Sequence, residues 1–226
     1  MSHAMKRFLI LSAVLYGITG VGSAAGQEAM RPVELRSLGP LTSMSADEQT
    51  RLALSAAPAE ITSHASVYVL TDKRYKQVRT GTNGFTCLIE RELLATIEPV
   101  CYDAEGSATT VPARLYREEL RSQGLAEDVV KTRIDAAYKA GRLHAPRKPG
   151  IVYMMSAEQQ SWDPFAKKIN QAPPHFMLYA PYATQADVGG FAGPQMPIVI
   201  WPGQPDALII IMAGGSNAMM HESPGT

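Results

Sequence analysis

The sequence predicts a single α+β domain: a mainly antiparallel, twisted sheet with a central hairpin, and a helical pair packed on one face. Three observations predict this fold class. Strand-like apolar runs occur both before and after residues 112–140, and those middle residues have helical spacing instead. The dipeptide Asn83-Gly84 is a strong signal for a two-residue hairpin turn. Sheet segments that flank a helical insertion favour one mixed domain, which we expect over residues 45–213.

The N-terminus predicts export. Lys6 and Arg7 form a positive head, residues 8–21 are uncharged and mostly apolar, and Ser23-Ala24-Ala25 has the small residues of a cleavage site. Residues 1–25 are therefore interpreted as a cleavable signal peptide, and we expect a periplasmic or extracellular protein. The apolar run is shorter than the roughly 20 residues that span a bilayer, and no later run reaches that length.

The remaining chain divides into three parts. Residues 26–44 lack periodicity and predict an extended lead-in, the domain follows, and residues 214–226 predict a flexible tail. The full chain has 21 basic and 21 acidic residues, so loss of Lys6 and Arg7 leaves a net charge of −2. This balance is not that of a nucleic-acid-binding protein. Composition does not predict the oligomeric state.

The first element predicted is a helix over residues 46–56. Ser45 and Glu48 have the spacing of a capping box, and Pro58 stops the run. The residues that follow are β-like, because Val67 and Val69 alternate with other strand formers. The strands expected in this half are 65–71, 74–82, 85–91 and 97–102, with the second and third joined by Asn83-Gly84.

Two helices are predicted next. Pro112 is typical of a first helical position, so the first helix is expected over 112–123, ending at Gly124. The second is expected over 126–140, with a buried stripe of Val130, Ile134 and Ala137. Its exposed face carries an alternating charge ladder of Glu127, Lys131, Asp135 and Lys139.

The chain then returns to strands. Residues 208–211 are apolar without alternation, which predicts a strand covered on both faces. The strands expected in this second half are 150–156, 176–179, 198–201 and 207–212.

Cys87 and Cys101 are the only two cysteines. An even cysteine count in an exported chain favours a disulfide, and both residues lie in predicted neighbouring strands. Their spacing is that of neither a redox Cys-x-x-Cys motif nor a zinc knuckle. The sequence therefore predicts one structural disulfide.

Motifs for the common chemistries are missing from the sequence. It has no Gly-x-Ser-x-Gly, no phosphate-binding glycine loop and no Gly-x-Gly-x-x-Gly, so we expect no nucleotide or other cofactor. His221-Glu222 begins like a zinc-protease helix, but Pro224 follows and a second histidine is missing. We predict no metal, although His64, His144, His175 and His221, four of the five histidines, leave open a site assembled by the fold.

Residues 173–205 form the candidate site. This segment has one charged residue, Asp187, among several aromatic residues, glycines and prolines. Long loops in compact domains often carry function, and Tyr and Trp offer flat apolar surfaces with a polar edge. We expect Tyr179, Tyr182 and Trp201 to line a ligand site, with His175 and Asp187 as polar anchors.

Two functions compete. The first is a non-catalytic exported module that binds a small molecule or an envelope partner through residues 173–205. The alternative is an extracytoplasmic hydrolase in which His175 acts as acid or base beside a carboxylate such as Asp187. The sequence leaves open whether the protein is an enzyme. It also leaves open that these aromatic residues only pack in the core, in which case they would support neither function.

Overall fold

The computed structural model describes residues 40–71, 74–163, 167–190 and 196–212. The predicted signal peptide, residues 26–39 of the expected lead-in and the expected tail at 214–226 lie outside the described residues. The last part of the lead-in, Pro40–Ser43, forms a helical turn, α1, in which Leu41 is fully buried.

The predicted fold class is confirmed: the chain is a mixed α+β protein built around a mostly antiparallel eight-stranded sheet. The sheet strands are β1 Ser66–Leu70, β2 Tyr75–Arg79, β3 Thr86–Glu90, β4 Glu98–Tyr102, β5 Ile151–Met154, β8 His175–Tyr179, β9 Ile198–Ile200 and β10 Leu208–Met212. A separate two-stranded sheet, β6 Gln160–Asp163 and β7 Lys168–Gln171, was not predicted. The longer helices are α2 Ala46–Leu54, α4 Ala104–Ser122 and α5 Glu127–Lys139, with a helical turn α3 Ala59–Thr62 and a 3-10 helix Gln185–Val188.

The strand order β2-β1-β3-β4-β5-β8-β10-β9 corrects one prediction. Asn83-Gly84 does not join a hairpin, because β2 pairs with β1 and β3 lies parallel to β1 on its other side. The connecting residues cross the start of β1, where a Cβ on Gly81 would lie 2.2 Å from the Ser66 nitrogen. Asn83 stabilises this crossing by accepting from the Phe85 amide at 3.0 Å. The central hairpin is instead formed by β3 and β4.

The helices cover both faces of the sheet. On one face, Cys101 Sγ in β4 lies 3.7 Å from the Ala53 carbonyl oxygen of α2. On the other face, Arg114 of α4 reaches the hydroxyl of Tyr102 in β4. α5 packs on α4 through its predicted buried stripe, which confirms the helical pair. No helix in the described part of the chain is both long enough and apolar enough to cross a membrane.

α4 begins eight residues earlier than predicted. Asp103 caps it, since Oδ1 accepts from the Gly106 amide at 3.0 Å, and Pro112 lies in the middle of the helix rather than at its start. The Pro112 ring is exposed, so this proline is accommodated on the solvent side of the helix. The earlier start adds more than two turns, and it brings α4 across the sheet.

The predicted disulfide between Cys87 and Cys101 is confirmed. The two residues face each other directly across β3 and β4, and both side chains are fully buried. The bond therefore joins the central hairpin under α2.

Candidate functional site

Tyr179 lies in the core. Its hydroxyl donates to Asp103 Oδ1 at 2.9 Å, so it joins β8 to the cap of α4. Its ring packs so closely against two glycines that an added Cβ would lie 1.9 Å from Tyr179 Oη at Gly106 and 2.6 Å from the ring at Gly150. Its contacts hold the sheet and helix together.

His175 and Asp187 have separate local roles. His175 is buried at the start of β8, where Nδ1 lies 2.9 Å from the Pro173 carbonyl oxygen, and burial lowers the pKa of the imidazole. Asp187 is exposed, and its carboxylate accepts from the amide and hydroxyl of Thr184 at the start of the 3-10 helix, which lowers its pKa. Among the described residues, no hydrogen bond connects the two side chains.

Tyr182 and Trp201 lie on two loops that are hydrogen-bonded to each other. The Tyr182 amide donates to the Gln204 carbonyl at 2.8 Å, and the Gln204 amide donates to the Trp201 carbonyl at 3.0 Å. Both aromatic residues have left-handed backbones, with φ of 65° and 50°. Bulky side chains seldom adopt this conformation, and such strain concentrates at functional sites.

The Tyr182 side of these loops opens into a cleft of about 460 Å³. The end of α5 and the residues after it form one part of the lining, and residues 203–205 form another. Tyr182 is 61% exposed, so its ring is available to a ligand. The polar side chains of the cleft belong to Asp135, Tyr138, Lys139, His144, Tyr182 and Gln204.

The hydroxyl of Tyr138 stands out in this cleft. Its oxygen is buried and has no hydrogen-bond partner, although buried polar groups are normally paired. Burial raises the pKa of this phenol, with a further contribution from Asp206. Tyr138 therefore keeps its proton at neutral pH, and its hydroxyl is an unpaired donor on a residue that lines the cleft.

The Trp201 side of the loops faces the helix α4. The Arg114 guanidinium lies 3.9 Å from the centroid of the Trp201 ring, within cation–π range. Arg114 is also paired with Asp206 at 2.6 Å and with Glu90 at 3.3 Å. A small pocket of about 30 Å³ adjoins this stack.

The predicted ligand-binding residues are thus divided among three surroundings: Tyr179 in the core, Tyr182 in the cleft and Trp201 beside the small pocket. Sequence reasoning missed Tyr138 and the arginines of α4. Arg114, Arg117 and Arg121 have helical spacing, which places them on one face, and that face contacts the sheet rather than solvent. All three lie within the helix predicted over 112–123, so this spacing was a usable signal in the sequence.

The described histidines do not form a metal site. No group of three or more His, Cys, Asp or Glu side chains could hold a metal ion within the described ranges. His64, His144 and His175 lie in different parts of the fold, and His221 is outside the described residues.

Comparisons of the chain with protein-family models, curated proteins and solved structures find no match.

Proposed function

We propose that this protein is an exported, non-catalytic module that binds a small, neutral, polar molecule in the cleft beside Tyr138 and Tyr182. One observation carries the proposal: Tyr138, whose buried hydroxyl has no partner among the described residues, lines the same cleft as the exposed ring of Tyr182 on its strained backbone. A ligand acceptor would satisfy the hydroxyl, and a flat apolar face would stack on the ring.

The size and charge of the cleft support this ligand class. Its volume of about 460 Å³ lies within the usual range of small-molecule sites, roughly 300–1,000 Å³. Asp135, the one acidic residue among the described residues of its lining, is already paired with Lys131 at 2.7 Å. Lys139 is exposed and solvated. Lys139 leaves one positive charge at the cleft, but solvent screens an exposed charge, so we infer a neutral ligand with hydroxyl or amide groups.

Export rests on the N-terminal sequence pattern, and the disulfide is consistent with it. A buried cross-strand disulfide suits an oxidising compartment such as the periplasm or the extracellular space. The proposal therefore places the ligand outside the cytoplasm.

The hydrolase alternative has less support. His175 is buried and bonded to a backbone carbonyl, and Asp187 caps an exposed 3-10 helix. An enzyme built on His175 requires a hydrolytic activity that is lost in His175→Ala but kept in Tyr138→Phe.

An envelope partner at the same surface is the other alternative. It would form a complex with the wild-type protein but not with Tyr182→Ala.

The test begins with a thermal-shift screen of the mature protein against neutral sugars, polyols and small amides. At a hundredfold excess over its Kd, a ligand should stabilise the fold by about 2.7 kcal/mol. Isothermal titration of the best ligand then compares wild type with Tyr138→Phe. Because the hydroxyl has no partner in the free protein, the variant should keep its stability and lose roughly tenfold in affinity.

Tyr68→Phe is the matched control, since its hydroxyl bonds Gln77 on the exposed sheet edge. It should leave the affinity unchanged. A ligand that binds wild type and Tyr138→Phe equally well would contradict the proposed site.

A further inference from the structure

The small pocket beside Trp201 contains buried arginine groups that lack partners. It lies where β3 ends and α4 crosses it, and Arg91, Arg114 and Arg117 all line it. Arg91 Nη1 and Arg114 Nη2 are buried atoms without a hydrogen-bond partner, on side chains that are only 7% and 4% exposed. Buried charged donors are costly to leave unpaired, so two such atoms on residues that line one pocket need an explanation.

The other atoms of these two arginines are already engaged. Arg91 donates through Nε and Nη2 to Glu118 Oε2, at 3.1 and 2.7 Å. Arg114 donates through Nη1 to Asp206 and lies with Nε near Glu90. One terminal nitrogen on each guanidinium is left over.

Arg117 is the third cation of the pocket. It is half-buried, and it forms no hydrogen bond or ion pair with any described residue. Its pKa is lowered by burial and by the nearby Arg114 and Arg121. An added anion would relieve both effects.

The acidic residues of the lining leave this donor capacity free. Glu118 is shared between Arg91 and Arg121, at 2.7 and 2.5 Å. Glu90 accepts from Tyr102 at 2.6 Å and pairs with Arg114. Burial raises the pKa of Glu92 while the nearby Arg117 and Arg114 lower it, but among the described residues its carboxylate forms no hydrogen bond or ion pair with either arginine.

The size of the pocket selects among anions. Its volume of about 30 Å³ corresponds to roughly two water-sized probes, at 10–15 Å³ each. A carboxylate has two oxygens and matches the planar fork of a guanidinium, whereas a phosphate or sulfate has four oxygens. We propose that Arg91, Arg114 and Arg117 form a binding site for the carboxylate of a small aliphatic acid, separate from the cleft of the proposed function.

Trp201 provides the readout, because it lines the pocket and stacks on Arg114. Trp162 is the other tryptophan of the chain, and Trp162→Phe leaves Trp201 as the sole indole. In this background, sodium acetate is titrated against sodium chloride and sodium sulfate at constant ionic strength and pH 7. Acetate should give a saturable fluorescence change that neither chloride nor sulfate gives, and it should raise Tm more than chloride does. Sulfate is compared by fluorescence alone, because it stabilises folded proteins in general by exclusion from their surface.

Arg117→Gln is the decisive variant, since Arg117 forms no hydrogen bond or ion pair with a described residue and its replacement should leave the protein folded by circular dichroism. We expect it to weaken acetate binding at least tenfold. Arg133→Gln, on the exposed face of α5, is the matched control and should not change binding. Equal responses to acetate and chloride, no saturable response to acetate, or unchanged acetate binding in Arg117→Gln would each overturn the proposal.

Discussion

The guanidinium carbon of Arg114 lies 3.9 Å from the centroid of the Trp201 ring. A buried cation of α4 thus meets the residue that follows β9, and Asp206 pairs with the same guanidinium from the other end of the loop. Residues 203–205, between these two contacts, line the cleft. The loop is therefore held at both ends by one arginine, between residues that line the two cavities.

Trp201 substitutions test this anchoring. Trp201→Leu should lower the free energy of unfolding by about 2–3 kcal/mol, because ring packing and the cation–π contact are both lost. Trp201→Phe keeps an aromatic ring and should cost about 1 kcal/mol. Urea denaturation measures both values. Trp162→Phe, at a partly exposed position of β6, is the control, and its free energy of unfolding should stay within about 0.5 kcal/mol of wild type. If Trp162→Phe lost as much stability as Trp201→Phe, the contact between Trp201 and Arg114 would have no special role.

Gly106 and Tyr179 should be energetically coupled. Alanine is normally favoured over glycine in a helix by roughly 0.5–1 kcal/mol. A Cβ at Gly106, however, would lie 1.9 Å from Tyr179 Oη, so we expect Gly106→Ala to destabilise the fold by about 2–3 kcal/mol. Tyr179→Phe alone should cost about 1–2 kcal/mol, because it removes a hydrogen bond to a carboxylate.

The double variant Gly106→Ala/Tyr179→Phe tests whether the two residues are energetically coupled. With the hydroxyl gone, Gly106→Ala should cost less than it does in wild type, although a contact at 2.7 Å with the ring carbon remains. Denaturant unfolding of all four proteins gives the coupling energy. Purely additive losses would show that the clash is relieved elsewhere.

The disulfide should be intact and protected in the folded protein. Both cysteine side chains are fully buried, so alkylation followed by mass spectrometry should find no free thiol, and a water-soluble reductant should act only after denaturation. Replacing both cysteines by alanine should cost roughly 3 kcal/mol for a loop of this length. Two alkylatable thiols in the native, untreated protein would contradict the bridge.

Local patterns predicted this fold where neighbouring residues decide the outcome. The Ser45–Glu48 capping box forms as expected, and the α5 stripe is buried, because both depend on spacing within one helix. The Asn83-Gly84 turn failed, because the glycine-supported crossing over β1 competes with a hairpin, and strand pairing at that distance is not a local property. The helix start predicted at Pro112 was wrong for the same reason, since the exposure of this proline depends on how α4 lies on the sheet.

The candidate site was predictable only in part. The aromatic character of residues 173–205 pointed to Tyr182, which lines the cleft, and to Trp201, which lines the small pocket. The same pattern pointed equally to Tyr179, although that ring packs in the core. Tyr138 could not be predicted from the sequence. It is a candidate because its buried hydroxyl has no partner among the described residues, and only the packed fold creates that condition.

Glycine and alanine at position 182 should differ in stability but not in binding. A left-handed backbone costs a non-glycine residue roughly 1–2 kcal/mol, so Tyr182→Gly should be more stable than Tyr182→Ala by about 1 kcal/mol. Both variants lose the ring and should lose binding in the cleft alike. Thermal unfolding and titration of the screened ligand measure the two properties. Equal stability of the two variants would argue that the strain is relieved in solution.

Glu98 should make stability depend on pH. It lies in β4 with only 8% of its surface exposed, and burial raises its pKa from 4.5 to about 8. Oε2 accepts from the Glu92 amide at 3.3 Å, but Oε1 is buried without a partner. The carboxyl should therefore be protonated in the folded protein at pH 7 and ionised in the unfolded chain.

The sign of the effect follows from proton linkage. Between pH 4.5 and 8 the folded state binds the extra proton, so the free energy of unfolding should fall as pH rises, by up to about 1.4 kcal/mol per pH unit from this group. Burial also raises the pKa of Glu90, which adds a contribution of the same sign. Glu98→Gln cannot ionise, so it should flatten the profile and be more stable than wild type at pH 9. Urea titrations at pH 5, 7 and 9 measure the free energy of unfolding of both proteins. The exposed Glu60→Gln is the control and should follow the wild-type profile. A Glu98→Gln profile parallel to wild type would show that Glu98 is not the responsible group.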